Sequence, residues 1–314
     1  MDFIAVSLFN GVSYGLLIFM VSAGLTLVFG MMGVLNIAHA AFYMIGAYVG
    51  YWMTTHGNFW AGLVLATMVA AAIGAVVERV MLRRAHRHGH AHELLLTFGL
   101  LFIFEELVKI FFGFYPVSYS APDSLTFTAF SIFGTNYPFY RLFIALVAVL
   151  MFAVVFLLLR FTRAGLIVRA SVYRPQMVEA LGHNVPMVFL GVFSLGAGMA
   201  GLAGAVAGAF YPTSPTMAQE LGMIIFVVVV VGGLGSIHGA LVASLLIGVM
   251  SSFAIGLDWT LADALRSFGM TQGAGQSGIL TVRLSSLAGA LPFLFMLITL
   301  LVRPAGLFGD KTQA

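Results

Sequence analysis

Asn36, His39 and Tyr43 stand three and four residues apart, which puts an amide, an imidazole and a phenol on one face of a helix. Ser236 and His238 form a second small polar group in the other half of the chain. Both groups follow glycine interruptions in apolar sequence, Gly30-Met-Met-Gly33-Val-Leu-Asn36-Ile-Ala-His39 and Gly232-Gly-Leu-Gly235-Ser236-Ile-His238-Gly239. In hydrocarbon, polar side chains must find partners or line a wet cavity. Two readings stay open. The five residues border a path for a polar solute, or they cap backbone groups freed where a helix breaks.

Other ionisable groups read more quietly. Glu105, Glu106 and Lys109 sit inside an apolar run, and Glu105–Lys109 is an i,i+4 pair in the better orientation. A self-neutralised pair with a snorkelling lysine is expected there, with a proton relay as the alternative. Glu78 is expected to pair with Arg79 or Arg83 at an interface. The run Arg83-Arg-Ala-His86-Arg-His88-Gly-His90-Ala-His92 alternates histidines, yet Glu93 is its lone acidic neighbour and the arginines oppose a cation. It reads as a basic loop beside anionic lipid, so no metal is assigned.

Catalysis finds no footing. The sequence has no Walker A pattern, no Gly-x-Ser-x-Gly elbow, no His-Glu-x-x-His and no cysteine. No catalytic residue and no cofactor are therefore expected, and any ATP hydrolysis belongs to another chain. The basic loops are short and membrane-adjacent, so no nucleic-acid partner is expected.

The elements that position these residues follow from composition. Of 314 residues, 61% are hydrophobic and 8% charged, against about a quarter charged in soluble domains. The chain is an all-α, polytopic helical bundle in the lipid bilayer, a single domain over 1–314. Apolar runs fall at about Ile4–Phe29, Ile37–Met53, Trp60–Met81, Leu94–Phe112, Phe139–Leu159, Pro186–Phe210, Leu221–Gly256 and Leu287–Val302. That predicts roughly eight to ten membrane segments, two of them Gly-broken or re-entrant. The first run follows Asp2 rather than a basic stretch, so it is expected to be a retained helix rather than a leader.

Of the 14 Lys and Arg, four lie in Arg79–Arg87, four in Arg160–Arg174 and two at Arg303 and Lys311. The positive-inside rule sends those regions to the cytoplasm, with the N-terminus outside and the C-terminus inside. Tyr211–Glu220 and a loop at about 257–286 then both go outside, so the run between them must enter and return. The basic stretch at about 160–186 is helix-compatible and lies between two apolar runs. On one side of a bilayer it is a docking surface for a partner.

The chain resembles the permease subunits of branched-chain amino acid ABC importers, a family that extends to urea and ribose permeases. The resemblance rests on Gly24-Leu-Thr-Leu-Val-Phe-Gly30, Gly33 to His39, Phe42 to Tyr48, Glu78-Arg79-Val, Thr97-Phe-Gly99-Leu, Gly165 to Ala170, Ala180-Leu-Gly182, Ala200 to Gly204, Gly232 to Ile237 and Arg303-Pro304-Ala-Gly306-Leu-Phe-Gly309. These run in family order over nearly the whole chain. The resemblance implies a passive, pore-forming subunit of the bacterial inner membrane that carries branched-chain amino acids or a similar small polar solute. It implies a second permease, often a related chain, two cytoplasmic ATPase subunits and a periplasmic substrate-binding protein. The family's coupling helix maps to about Arg163–Gly182, taking in Arg163, Gly165, Arg169, Tyr173, Arg174, Glu179 and Gly182. Ala40 and Ala41 replace the family's usual Gly and Glu, His238 a common proline, and Tyr173–Arg174 a frequent acidic position. The alternative class is a stand-alone channel or secondary transporter, for which a deep, unneutralised charge is the expected mark.

Overall fold

The computed structural model describes residues 2–132, 135–257, 260, 263 and 283–309. Each apolar run is helical, and the run across Gly232–Gly239 is two helices. They are α1 (Asp2–Met32), α2 (His39–Thr55), α3 (Phe59–Val76), α5 (His90–Phe112), α7 (Phe139–Phe161), α10 (Val185–Gly208), α11 (Met217–Gly232), α12 (Ile237–Gly256) and α14 (Leu291–Val302). Short helices fill the connections: α4 (Arg83–Ala85), α6 (Asp123–Thr126), α8 (Arg163–Tyr173), α9 (Pro175–Ala180) and α13 (Leu284–Leu287). Side-chain caps start several of them. Asn58, Thr162, Asn184 and Ser236 each accept from the backbone N–H three residues on, satisfying a donor the helix itself cannot.

Among the described residues five helices are long and apolar enough to cross a membrane: α1, α3 with its extension to Ala85, α7, α10 and α12. They differ in depth within the bundle. The most apolar window of α1 is 83% buried and that of α7 only 22%, so α1 is the central post and α7 faces outward. Around α1 stand α12, α10, α7 and α11, while α2 packs against α10 and α3. Apolar contact alone does not drive helices together in lipid, so close backbone approach matters. At the α2–α10 crossing Gly46 lies against the Gly201 backbone with no room for a Cβ, and a Cβ on Gly201 would meet Ala66 and Ala70 of α3.

One end of the bundle collects α4, α8, α9 and the tail from Arg303. The other end carries a hairpin of β1 (Thr128–Ile132) and β2 (Thr135–Pro138), which runs directly into α7. There Tyr119 and Tyr140 donate to the carbonyls of Ala205 (2.7 Å) and Val206 (2.6 Å) in the last turn of α10, groups left over at a helix C-terminus. Burial pushes the Tyr119 phenol upward, which keeps it a neutral donor. Most of the loop expected at 257–286, with Arg266 and Lys311, lies outside the described residues.

Candidate functional site

The first break is open at its polar groups. α1 ends at Met32, Gly33 turns the chain with φ +67°, and α2 begins at His39. Between them the Ile37 N–H donates to Thr97 Oγ1 of α5 (3.3 Å). Asn36 and His39 are fully buried, and among the described residues their side-chain nitrogens and oxygen have no hydrogen-bond partner. The His39 ring lies near the Val21 carbonyl without reaching normal hydrogen-bond geometry. It lodges against Gly24, where a Cβ would sit 2.8 Å from its Nε2. Asn36 and His39 border a mostly apolar cavity of ≈ 760 Å³ between α2, α5, α11 and α14.

Tyr43, one turn beyond His39, opens on a second cavity of ≈ 310 Å³ with Tyr14 of α1, Tyr211, and Glu220 of α11. Along α1 this cavity reaches from Tyr14 to Val21, whereas the larger one begins at Leu25; Ile225 of α11 borders both. Tyr211 stands between α10 and α11, where burial raises its phenol and the nearby Arg141 guanidinium counters part of that rise. Arg141 itself stacks over Tyr137 and Phe210 and donates to Asn10.

The second break is closed. Gly233 and Gly235 turn with φ +102° and +85°, and Ser236 spends its hydroxyl as the cap of α12, accepting from Gly239 N (3.1 Å). The C-terminal tail lies across it: Leu307 N donates to Val231 O (2.8 Å) and Phe308 N to Gly232 O (3.1 Å). The two breaks meet at Gly30 and Gly235, where a Cβ on Gly30 would lie 2.8 Å from the Gly235 Cα. His238 points elsewhere, edge-on to Phe152 (5.5 Å) and Phe156 (5.4 Å) of α7. Thus Asn36 and His39 share one cavity and Tyr43 lines its neighbour. Ser236 and His238 line neither.

Two groups of charges within the helices are paired. Lys109 meets Glu105 (2.9 Å) and Glu106 (2.8 Å), and Gln219 of α11 donates to Glu105. Past Val76 the α3 path widens into a π-helical stretch, Val77–Leu82. Residues five apart diverge on an α-helix, but the wider turn brings buried Glu78 to Arg83, held through both Nε (3.2 Å) and Nη2 (2.9 Å). Arg83 also donates to Pro186 O (2.9 Å), tying α4 to the start of α10. Glu93 receives His86 and His90 Nδ1, the latter at 3.2 Å.

The basic stretch forms α8 and α9. Gly165 packs directly on the Leu158 and Leu159 carbonyls of α7, and Val168, Ser171 and Val178 face inward. Arg163, Arg169, Arg174, Glu179 and Gly182 face out, Gly182 with φ +86°. Tyr173 is the last residue of α8. Among these charges Leu166, Met177 and Leu181 are 63%, 57% and 78% exposed.

Sequence reasoning missed Tyr14, Tyr211 and Glu220. Their one signal was polar aromatic or acidic character beside an apolar run, and nothing in spacing joins three separate segments.

The family model described as branched-chain amino acid transport system, permease component, matches residues 7–300. The chain is 29% identical over 319 residues to the high-affinity branched-chain amino acid transport system permease protein LivH of Salmonella typhimurium, covering 96% of this chain and 94% of that one. LivH of Escherichia coli is 28% identical over 325 residues with the same coverage. The permease protein BraD of Pseudomonas aeruginosa is 26% identical over 259 residues, 78% of this chain and 84% of that one. No solved structure matches.

Proposed function

Because this multi-pass chain belongs to the family of branched-chain amino acid transport system permease components, we propose that it conducts branched-chain amino acids inward and is driven through α8 and α9. It is the permease component of an ABC transport system and carries no catalytic domain. The whole chain acts as one permease domain in the bacterial inner membrane, with the N-terminus outside and the tail in the cytoplasm. A second permease, a related chain, completes the pore. Two cytoplasmic ATPases seat on α8–α9, and a periplasmic binding protein loads the opposite end. The solute passes α2 at Tyr43, His39 and Asn36.

One observation carries the drive: three exposed aliphatic side chains, Leu166, Met177 and Leu181, sit among arginines on a short helix pair anchored to α7 by Gly165. A rigid element with an apolar centre and charged rim suits a subunit interface. Its movement can bias inward- and outward-open states if the ATPases contact it differently in each.

In proteoliposomes holding the full complex, Arg169→Glu or Gly182→Pro should leave the permease inserted while ATP hydrolysis no longer yields uptake. Wild-type coupling in both variants sinks the assignment of α8–α9. Uptake that persists without the ATPases sinks the importer reading.

A further inference from the structure

The cavity of ≈ 310 Å³ under Tyr211 has a chemistry of its own. One side is aliphatic, from Leu17, Ile18 and Val21 of α1 and Leu221 and Ile225 of α11. The polar side brings three phenols, Tyr14, Tyr43 and Tyr211, together with the Glu220 carboxylate. The Tyr14 and Tyr211 rings stand edge-on at 6.5 Å, and none of the three phenols has a hydrogen-bond partner among the described residues. Glu220 accepts from Thr216 Oγ1 (3.1 Å) and has no ion-pair partner among the described residues. Among the described residues no cation lines the space.

Such a space is at the small end of the roughly 300–1,000 Å³ range of small-molecule sites. Its lining fits a solute that is cationic at one point, anionic at another and aliphatic elsewhere. We infer that this cavity is a transient binding site for a zwitterionic aliphatic amino acid, its ammonium group on Glu220 and its side chain against Leu17, Ile18 and Val21. The phenols donate to the carboxylate. Glu220 is exposed, so its carboxylate is reachable from solvent, and beside low-dielectric walls it attracts an ammonium more strongly than in bulk water. The carboxylate end is met by neutral phenols, with the Arg141 guanidinium near Tyr211 but not in the lining, and is held less firmly. That asymmetry suits conduction, which needs sites good enough to enter and weak enough to leave.

This inference rests on the permease reading, and the test separates the two. The complete transporter is reconstituted in proteoliposomes, and leucine uptake is followed while leucine-loaded binding protein is varied. Glu220→Gln should lower the maximum uptake rate about tenfold, with half-saturation by loaded binding protein near the wild-type value and Glu220→Asp restoring most of the rate. Ile18→Trp, which fills the cavity, should lower the rate at least as far in complexes that assemble with wild-type yield. A wild-type maximum rate in both Glu220→Gln and Ile18→Trp overturns the site. So does a Glu220→Gln defect confined to half-saturation, which would make Glu220 a docking contact for the binding protein. A wild-type complex that takes up no leucine counts instead against the permease reading itself.

Discussion

The two glycine breaks look alike in sequence and differ in what they leave unsatisfied. At Gly232–Gly239 the freed groups are consumed: Ser236 caps α12, and the carbonyls of Val231 and Gly232 receive the tail amides of Leu307 and Phe308. At Gly30–His39 the side chains of Asn36 and His39 are buried with no partner among the described residues. An unmet buried polar group costs about 1–3 kcal/mol, so without a partner these two side chains work against stability, which fits the proposed place on the solute path. In the proposed reading the closed break is a joint and the open one is a port. The two breaks are in close backbone contact at Gly30 and Gly235.

The largest effect is expected at the joint. Gly233 has φ +102°, and a Cβ there would lie 2.8 Å from the Gly309 Cα. Gly233→Leu combines left-handed strain of about 1–2 kcal/mol with overpacking of about 1–3 kcal/mol, and it displaces the tail. The variant should lose most of its monodisperse peak in detergent size-exclusion runs. A wild-type peak and melting temperature would mean the tail contact contributes nothing, and the contrast between joint and port would weaken.

His39→Leu probes the port and should move the opposite observable. Replacing a partnerless buried imidazole by an aliphatic side chain of similar reach removes an unmet polar group, so the melting temperature should hold or rise. Uptake by the complete transporter should fall about tenfold, roughly 1.4 kcal/mol of barrier. A variant that melts several degrees lower yet transports normally would make His39 a packing residue.

The helices and the positions of the two breaks were legible in sequence, and the reasons for the remainder are physical. Apolar runs of spanning length have few options other than helix, so every one of them is found helical. Charge asymmetry separated the basic stretch, and i,i+4 spacing foretold Glu105 with Lys109. Local spacing says nothing about contacts across the bundle, however. Ser236 and His238 resemble Asn36 and His39 on paper, but α7 offers Phe152 and Phe156 to His238 and the α12 N-terminus claims Ser236. Tyr14, Tyr211 and Glu220 converge from α1, the α10–α11 link and α11, a meeting that only the packing of those helices creates. The π-helical turn at Val77–Leu82 was equally hidden, since the sequence offered Arg79 and Arg83 to Glu78 without the geometry that selects Arg83.

The smallest effect is expected from Ser236→Ala, and it is the sharpest comparison with His39→Leu. Loss of an N-cap costs about 1 kcal/mol, here the bond from Gly239 N, while the tail amides and the glycine turn stay in place. The melting temperature should fall slightly and uptake should stay within about twofold of wild type, since a barrier change under about 0.5 kcal/mol moves a rate little. Polar residues of two similar motifs would then have opposite signatures, one lost in stability and one in transport. Should Ser236→Ala instead abolish uptake with its stability intact, the hydroxyl does more than cap. The path would then run through both breaks, and Gly30–Gly235 would be its waist rather than the contact between a port and its joint.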